Sequence, residues 1–101
     1  MKLYIDTSDR EKIIVGLDEK RIVAKAKKEK SQLLLKLIQK IIKDSGKKFS
    51  DISEVEVVRG PGSFTGLRVG ITVANTIAWV LKIPINGQDV QKNGPIEPVY
   101  E

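Results

Sequence analysis

Between Arg59 and Gly70 the chain reads RGPGSFTGLRVG, which crowds four of its eight glycines and one of its four prolines into one short stretch. A glycine-rich turn between a strand and a helix presents backbone N–H groups, and the positive end of the helix dipole, to an anion. Gly60, Pro61, Gly62, Ser63, Thr65 and Gly66, with Arg68 in the first helical turn, are therefore the candidate anion contacts. The specific phosphate fingerprints are absent. A P-loop needs a second glycine five residues after the first, but Thr65 follows Gly60 at that distance and Leu67 follows Gly62. The dinucleotide pattern G-x-G-x-x-G fails as well, because Thr65 stands where its third glycine belongs. Asp6, Thr7 and Ser8, near the amino terminus, are either turn formers or a second phosphate-facing loop. Arg68 opposes the helix dipole by a few tenths of a kcal/mol up to about 1 kcal/mol. It reads either as a surface cation or as a ligand for a carboxylate or phosphate.

Other chemistry is excluded by composition. The chain has no cysteine and no histidine, so disulfides, thiolate metal sites and Ser-His-Asp or Cys-His catalysis within it are ruled out. No metal and no cofactor is expected. Residues 1–48 carry fourteen Lys/Arg against seven Asp/Glu, and residues 49–101 carry four against six. The basic half reads either as a solvated lysine-rich surface or as a nucleic-acid contact. With aromatic residues at 5%, a base-stacking platform has little support. No apolar run reaches the ~20 residues that span a bilayer. The charged amino terminus does not resemble a secretory signal, so a cytoplasmic protein without membrane contact is expected.

The elements that must position the glycine loop follow from periodicity. Lys2–Ser8, Lys12–Asp18 and Arg21–Lys28 alternate apolar and polar residues, and their short polar links predict an antiparallel meander. From Lys30 to Ser45, Leu34, Leu37, Ile38, Ile41 and Ile42 recur at helical spacing. Glu29 or Ser31 is placed to cap that helix, and Gly46 to end it. A strand over Glu54–Val58, the glycine loop, a helix over Thr65–Leu81 and a last strand over Lys82–Gly87 complete an α/β lobe. The predicted order is β-β-β-α-β-α-β, with a mixed five-stranded sheet over residues 1–87 and an irregular tail over 88–101.

Within the second helix Gly66, Gly70, Ala74 and Ala78 lie four residues apart and form one ridge of small side chains. Glycine inside a helix costs about 1 kcal/mol relative to alanine, so the ridge implies close approach of another backbone. The first helix also carries apolar surplus at Leu33 and Leu35. That surplus is either core or a partner surface.

The stretch GPGSFTGLRVGITVANTIAWVLKIPING, with IDTS near the amino terminus and the helix KSQLLLKLIQKII, resembles the amino-terminal half of the TsaB (YeaZ) family. That family works in the threonylcarbamoyladenosine (t6A) modification of tRNA. The resemblance runs from about Lys2 to Gly87. It implies a lobe of the actin, sugar kinase and Hsp70 superfamily, with a ribonuclease H-like fold. It also implies a non-catalytic subunit that docks through its two helices onto a TsaD-like threonylcarbamoyl transferase, with a TsaE-like ATPase as a further partner. A homodimer is expected when the chain is alone, and any tRNA contact is expected to be indirect. On this reading Leu34, Leu37, Ile38 and Ile41 of the first helix, and Gly66, Gly70, Ala74 and Ala78 of the second, form the partner interface. The chain departs from the pattern twice. Family members have a second lobe of similar size where this chain has only residues 88–101, and the family often has histidine where Lys30 stands. A basic tRNA-binding module and a nucleotide-binding enzyme of the actin-like superfamily are the alternatives.

Overall fold

The meander begins where alternation is strictest. Leu3 and Ile5 of β1 (Lys2–Asp6), Ile13 and Val15 of β2 (Lys12–Leu17), and Val55 and Val57 of β4 (Glu54–Val57) all point to one buried face. β3 (Lys20–Lys25) completes a four-stranded sheet of order β3-β2-β1-β4. The β1–β2 and β2–β3 pairs are antiparallel, and β1 and β4 are parallel. These assignments come from a computed structural model that describes residues 1–26 and 28–99. The part of the predicted third strand at Lys27, and the last two residues of the tail, lie outside the described residues.

Helices α1 (Lys30–Asp44) and α2 (Phe64–Leu81) pack against the buried sheet face and each other. Glu29 sits at the amino-terminal end of α1 without making a side-chain cap, and Gly46 takes the left-handed conformation that ends the helix. A 3₁₀ turn at Phe49–Asp51 leads into β4. By length and apolarity α2 passes as a membrane-crossing helix, although no apolar run of that length stands out in the sequence. The fold uses part of this apolarity internally, burying Leu67, Ile71, Ala74, Ile77 and Ala78 against the sheet and α1, and leaves Phe64, Trp79 and Val80 exposed.

The predicted fifth strand is corrected. Residues 82–87 touch the sheet through one parallel bridge, Val55 to Ile85. After it Asn86 and Gly87 take positive φ values of 49° and 76°, and the chain turns away. The Asn86 side chain supplies what a longer strand would. It accepts from the Val57 N–H at 2.8 Å and donates to the Val57 carbonyl at 3.0 Å, completing the β4 edge. The sheet is therefore mixed and α/β as expected, with four strands in place of five.

Residues 88–99 hold one short helix and are otherwise without regular structure, but they are anchored to the fold. Asp89 caps a short helix, α3 (Val90–Asn93), and Val90 and Ile96 bury their side chains. The Asn75 side chain of α2 holds Ile96 by both backbone groups, donating to its carbonyl at 2.8 Å and accepting from its N–H at 2.9 Å. Beyond it the Val99 N–H donates to the Arg59 carbonyl, and the Arg59 Nε donates to the Glu97 carbonyl, each at 2.8 Å. The segment therefore returns from the far end of α2 to the start of the glycine loop.

Candidate functional site

The glycine loop runs between the end of β1 and the first turn of α2, and Thr7 joins the two. Thr7 continues the inward phase of Leu3 and Ile5, so its hydroxyl is carried into the core. Among the described residues it is the one buried polar side chain. A buried hydroxyl must find partners, and Thr7 finds them within α2. Its Oγ1 donates to the Gly66 carbonyl and accepts from the Gly70 N–H at 3.1 Å. Those two groups are the pair that a regular helical turn joins to each other. A β carbon on Gly66 would overlap the Thr7 carbonyl, and one on Gly70 would overlap Thr7 Oγ1. Gly66 and Gly70 let the start of α2 lie directly on the end of β1 and on Thr7.

The rest of the loop is bound up in the same way. Ser63 caps α2, its Oγ accepting from the Gly66 N–H at 3.4 Å. The Ser63 N–H donates to the Ser8 carbonyl at 2.8 Å. Gly62 packs on Ser8 so closely that a β carbon would meet it at 2.6 Å. Gly60 has φ 143° and abuts the Val99 carbonyl. Asp6 is engaged by Ser8, whose N–H and hydroxyl both donate to Oδ1, at 2.9 and 2.6 Å. Asp6–Ser8 is therefore a turn whose polar atoms are held by one another and by the loop. Lys30, where the family often has histidine, donates from Nζ to the Asp9 carbonyl at 2.7 Å and ties α1 to the β1–β2 connection. Pro61 and Thr65 are exposed, and Arg68 is exposed with its guanidinium 5.4 Å from the Phe64 ring centroid. Among the described residues no group of three His, Cys, Asp or Glu is placed to hold a metal ion.

The residues expected at a partner interface are placed mostly inside the fold, with Ile38 also lining a groove at the surface. Leu34, Leu37, Ile38 and Ile41, with Gly66, Gly70, Ala74 and Ala78, are all buried within the chain's own fold. The neighbouring backbone that the ridge demanded is β1 of the same chain. What α1 and α2 offer another molecule lies beside these residues, along the outward seam between the two helices. Near the amino-terminal ends of the helices Ser31, Phe64, Val69 and Val73 line a groove. Towards their carboxyl ends a second groove of about 550 Å³ is lined by Leu35, Ile38, Ile42, Phe49, Thr76 and Ile77. Leu35, Phe49 and Phe64 are exposed by 50%, 42% and 55%.

Two positions that hold this region together escape a reading by composition. Thr7 was detectable as the polar residue in phase with Leu3 and Ile5. Asn75 was detectable only as an amide in an otherwise apolar helix, with nothing to indicate Ile96 as its partner.

Residues 22–87 match the family described as TsaD, tRNA N6-adenosine threonylcarbamoyltransferase. The chain is 38% identical to the tRNA threonylcarbamoyladenosine biosynthesis protein TsaB of Bacillus subtilis (strain 168), over 83% of this chain and 38% of that protein. It is 40% identical to TsaB of Escherichia coli (strain K12), over 59% of this chain and 26% of that protein. Among solved structures, YeaZ from Pseudomonas aeruginosa superimposes with a TM-score of 0.70 at 25% identity, covering 83% of this chain and 41% of that one. The chain thus spans about two-fifths or less of the length of these relatives. The glycine loop, the helix it opens and β4 lie within the matched stretch of 22–87, and the chain belongs to the TsaD family, with TsaB (YeaZ) proteins among its relatives.

Proposed function

We propose that this chain is a non-catalytic subunit that supports a TsaD-like transferase in the t6A modification of tRNA, acting in the cytoplasm. The observation that carries this reading is the 38% identity to a TsaB protein over 83% of the chain. The geometry of the glycine loop favours it over an enzymatic role. Thr7, Ser8, Asp6 and Ser63 direct their polar groups at each other and at α2, so the loop serves packing. Pairing takes place through the exposed seam of α1 and α2, where apolar side chains line concave grooves of a size suited to the ridge of another helix. A TsaE-like ATPase is the third component this reading admits.

The test is reconstitution. Mixed with the TsaD-type transferase of its source organism, the chain should comigrate with it in size-exclusion chromatography with light scattering. It should also raise the t6A content of unmodified tRNA in the complete reaction. A transferase that never comigrates with the chain, and modifies tRNA equally without it, overturns the proposal.

A further inference from the structure

We infer that Asn93–Gly94 is a site of spontaneous deamidation, opened to reaction by fraying of α3, and that the fold holds the identical pair Asn86–Gly87 unreactive. The chain contains these two Asn-Gly pairs. Asparagine followed by glycine is the pair most prone to this reaction, because glycine adds no side chain and leaves the backbone free to turn. The glycine nitrogen forms a bond to the asparagine Cγ and gives up its proton, ammonia leaves, and a cyclic succinimide closes. Water then opens the ring at either carbonyl and yields aspartate or isoaspartate. Each event replaces a neutral carboxamide by a carboxylate. Water is the only co-reactant, so local structure decides between two pairs of the same sequence.

Asn86 lies in the turn between Ile85 and Gln88, whose backbones pair in both directions at 2.9 Å. Its carboxamide is engaged at both ends by Val57, accepting at 2.8 Å and donating at 3.0 Å. Its own N–H donates to the Val55 carbonyl at 2.8 Å, and Ile85 beside it is fully buried. Bringing Cγ onto the Gly87 nitrogen therefore requires the turn to leave the β4 edge. Asn93 is the last residue of α3, a helix of four residues, and Gln91, Lys92 and Asn93 are all exposed. No carboxamide bond like those of Asn86 holds its side chain. One restraint remains, since the attacking Gly94 nitrogen donates its N–H to the Val90 carbonyl at 3.0 Å. Reaction waits for that single turn to fray, and opening an exposed helix end costs far less than releasing a buried strand edge.

The test incubates the full chain in mildly alkaline buffer made with heavy-oxygen water, which marks the products formed during incubation. Peptide mapping by mass spectrometry then reads both sites. In the native chain Asn93 is expected to convert roughly tenfold faster than Asn86, or more. In concentrated urea, where neither the turn nor α3 survives, the two rates should converge. Hydrogen exchange supplies the second readout. The Val57 N–H, which the Asn86 side chain accepts, should exchange far more slowly than the Gly94 N–H that α3 holds. Equal conversion of the two sites in the native chain overturns the inference. So does an Asn93 that stays unmodified in the native chain while urea exposes both sites to reaction. Exchange at Val57 as fast as at Gly94 would remove the protection assigned to the β4 edge and overturn it as well.

Discussion

The hydroxyl of Thr7 donates to the Gly66 carbonyl and accepts from the Gly70 N–H, bridging from the end of β1 the two groups that one rung of the α2 ladder joins. This bridge joins the strand, the glycine loop and the long helix. It also explains why two glycines survive in a helix whose other core positions are alanine, leucine and isoleucine.

Helix propensity alone predicts that Gly70→Ala stabilises α2 by about 1 kcal/mol. The expected result has the opposite sign. The added carbon meets Thr7 Oγ1 and the Ile5 side chain, and such overpacking costs about 1–3 kcal/mol. Urea unfolding checks the sign, and a Thr7→Ala background should shrink the penalty if the clash lies where described. Gly70→Leu is expected to unfold the chain rather than to remove a partner.

Thr7→Val keeps the shape and removes the bridge, at an expected cost of about 1–3 kcal/mol. Denaturant midpoints should show the loss. Hydrogen exchange should place the weakened amides in the first turns of α2.

Asn86→Gly separates conformation from hydrogen bonding at the β4 edge. Glycine accepts the φ of 49° at Asn86 but gives up both bonds to Val57. A loss of about 1–3 kcal/mol is expected, read as a lower unfolding midpoint. A midpoint equal to wild type would mean that the single bridge at Ile85 suffices for this edge.

Ending the chain at Gln88 removes the buried side chains of Val90 and Ile96 and leaves the Asn75 amide without its backbone partner. At about 1.5–3 kcal/mol for each buried aliphatic side chain, the shortened chain should lose about 3 kcal/mol or more. A midpoint unchanged by the deletion would show that residues 89–99 lie on the fold without supporting it.

Alkaline pH should weaken the fold. Burial, and then the carboxylates of Asp6 and Glu56, raise the Tyr4 phenol above its ordinary value of 10.0. The hydrogen bond to Glu56 and its charge raise Lys2 above 10.5. Both groups hold their protons more tightly folded than unfolded. The stability they contribute is therefore fully present below about pH 10 and is lost as pH rises through the raised folded values. Thermal melts between pH 9 and 11 check the direction, and Glu56→Gln should flatten the lysine part.

Alternation at Leu3 and Ile5, the helical recurrence from Leu34 to Ile42, and the ridge from Gly66 to Ala78 determined by themselves which elements form and which faces are buried. They did so because burial follows the period of strand or helix. What buries each face was decided only by the tertiary structure. The ridge demanded a close neighbour, and a second molecule satisfied that demand on paper as well as β1 does in the fold. The fifth strand had a strand's composition, but Asn86 ends it with a side-chain substitute for backbone pairing. Residues 88–99 lack any period and are nonetheless held, because Asn75 and Arg59 bind their backbone from positions distant in the chain. Hydrogen bonds that join residues far apart in sequence leave no periodic trace. The packing of β1 on α2, the β4 edge and the returning segment all depend on such bonds.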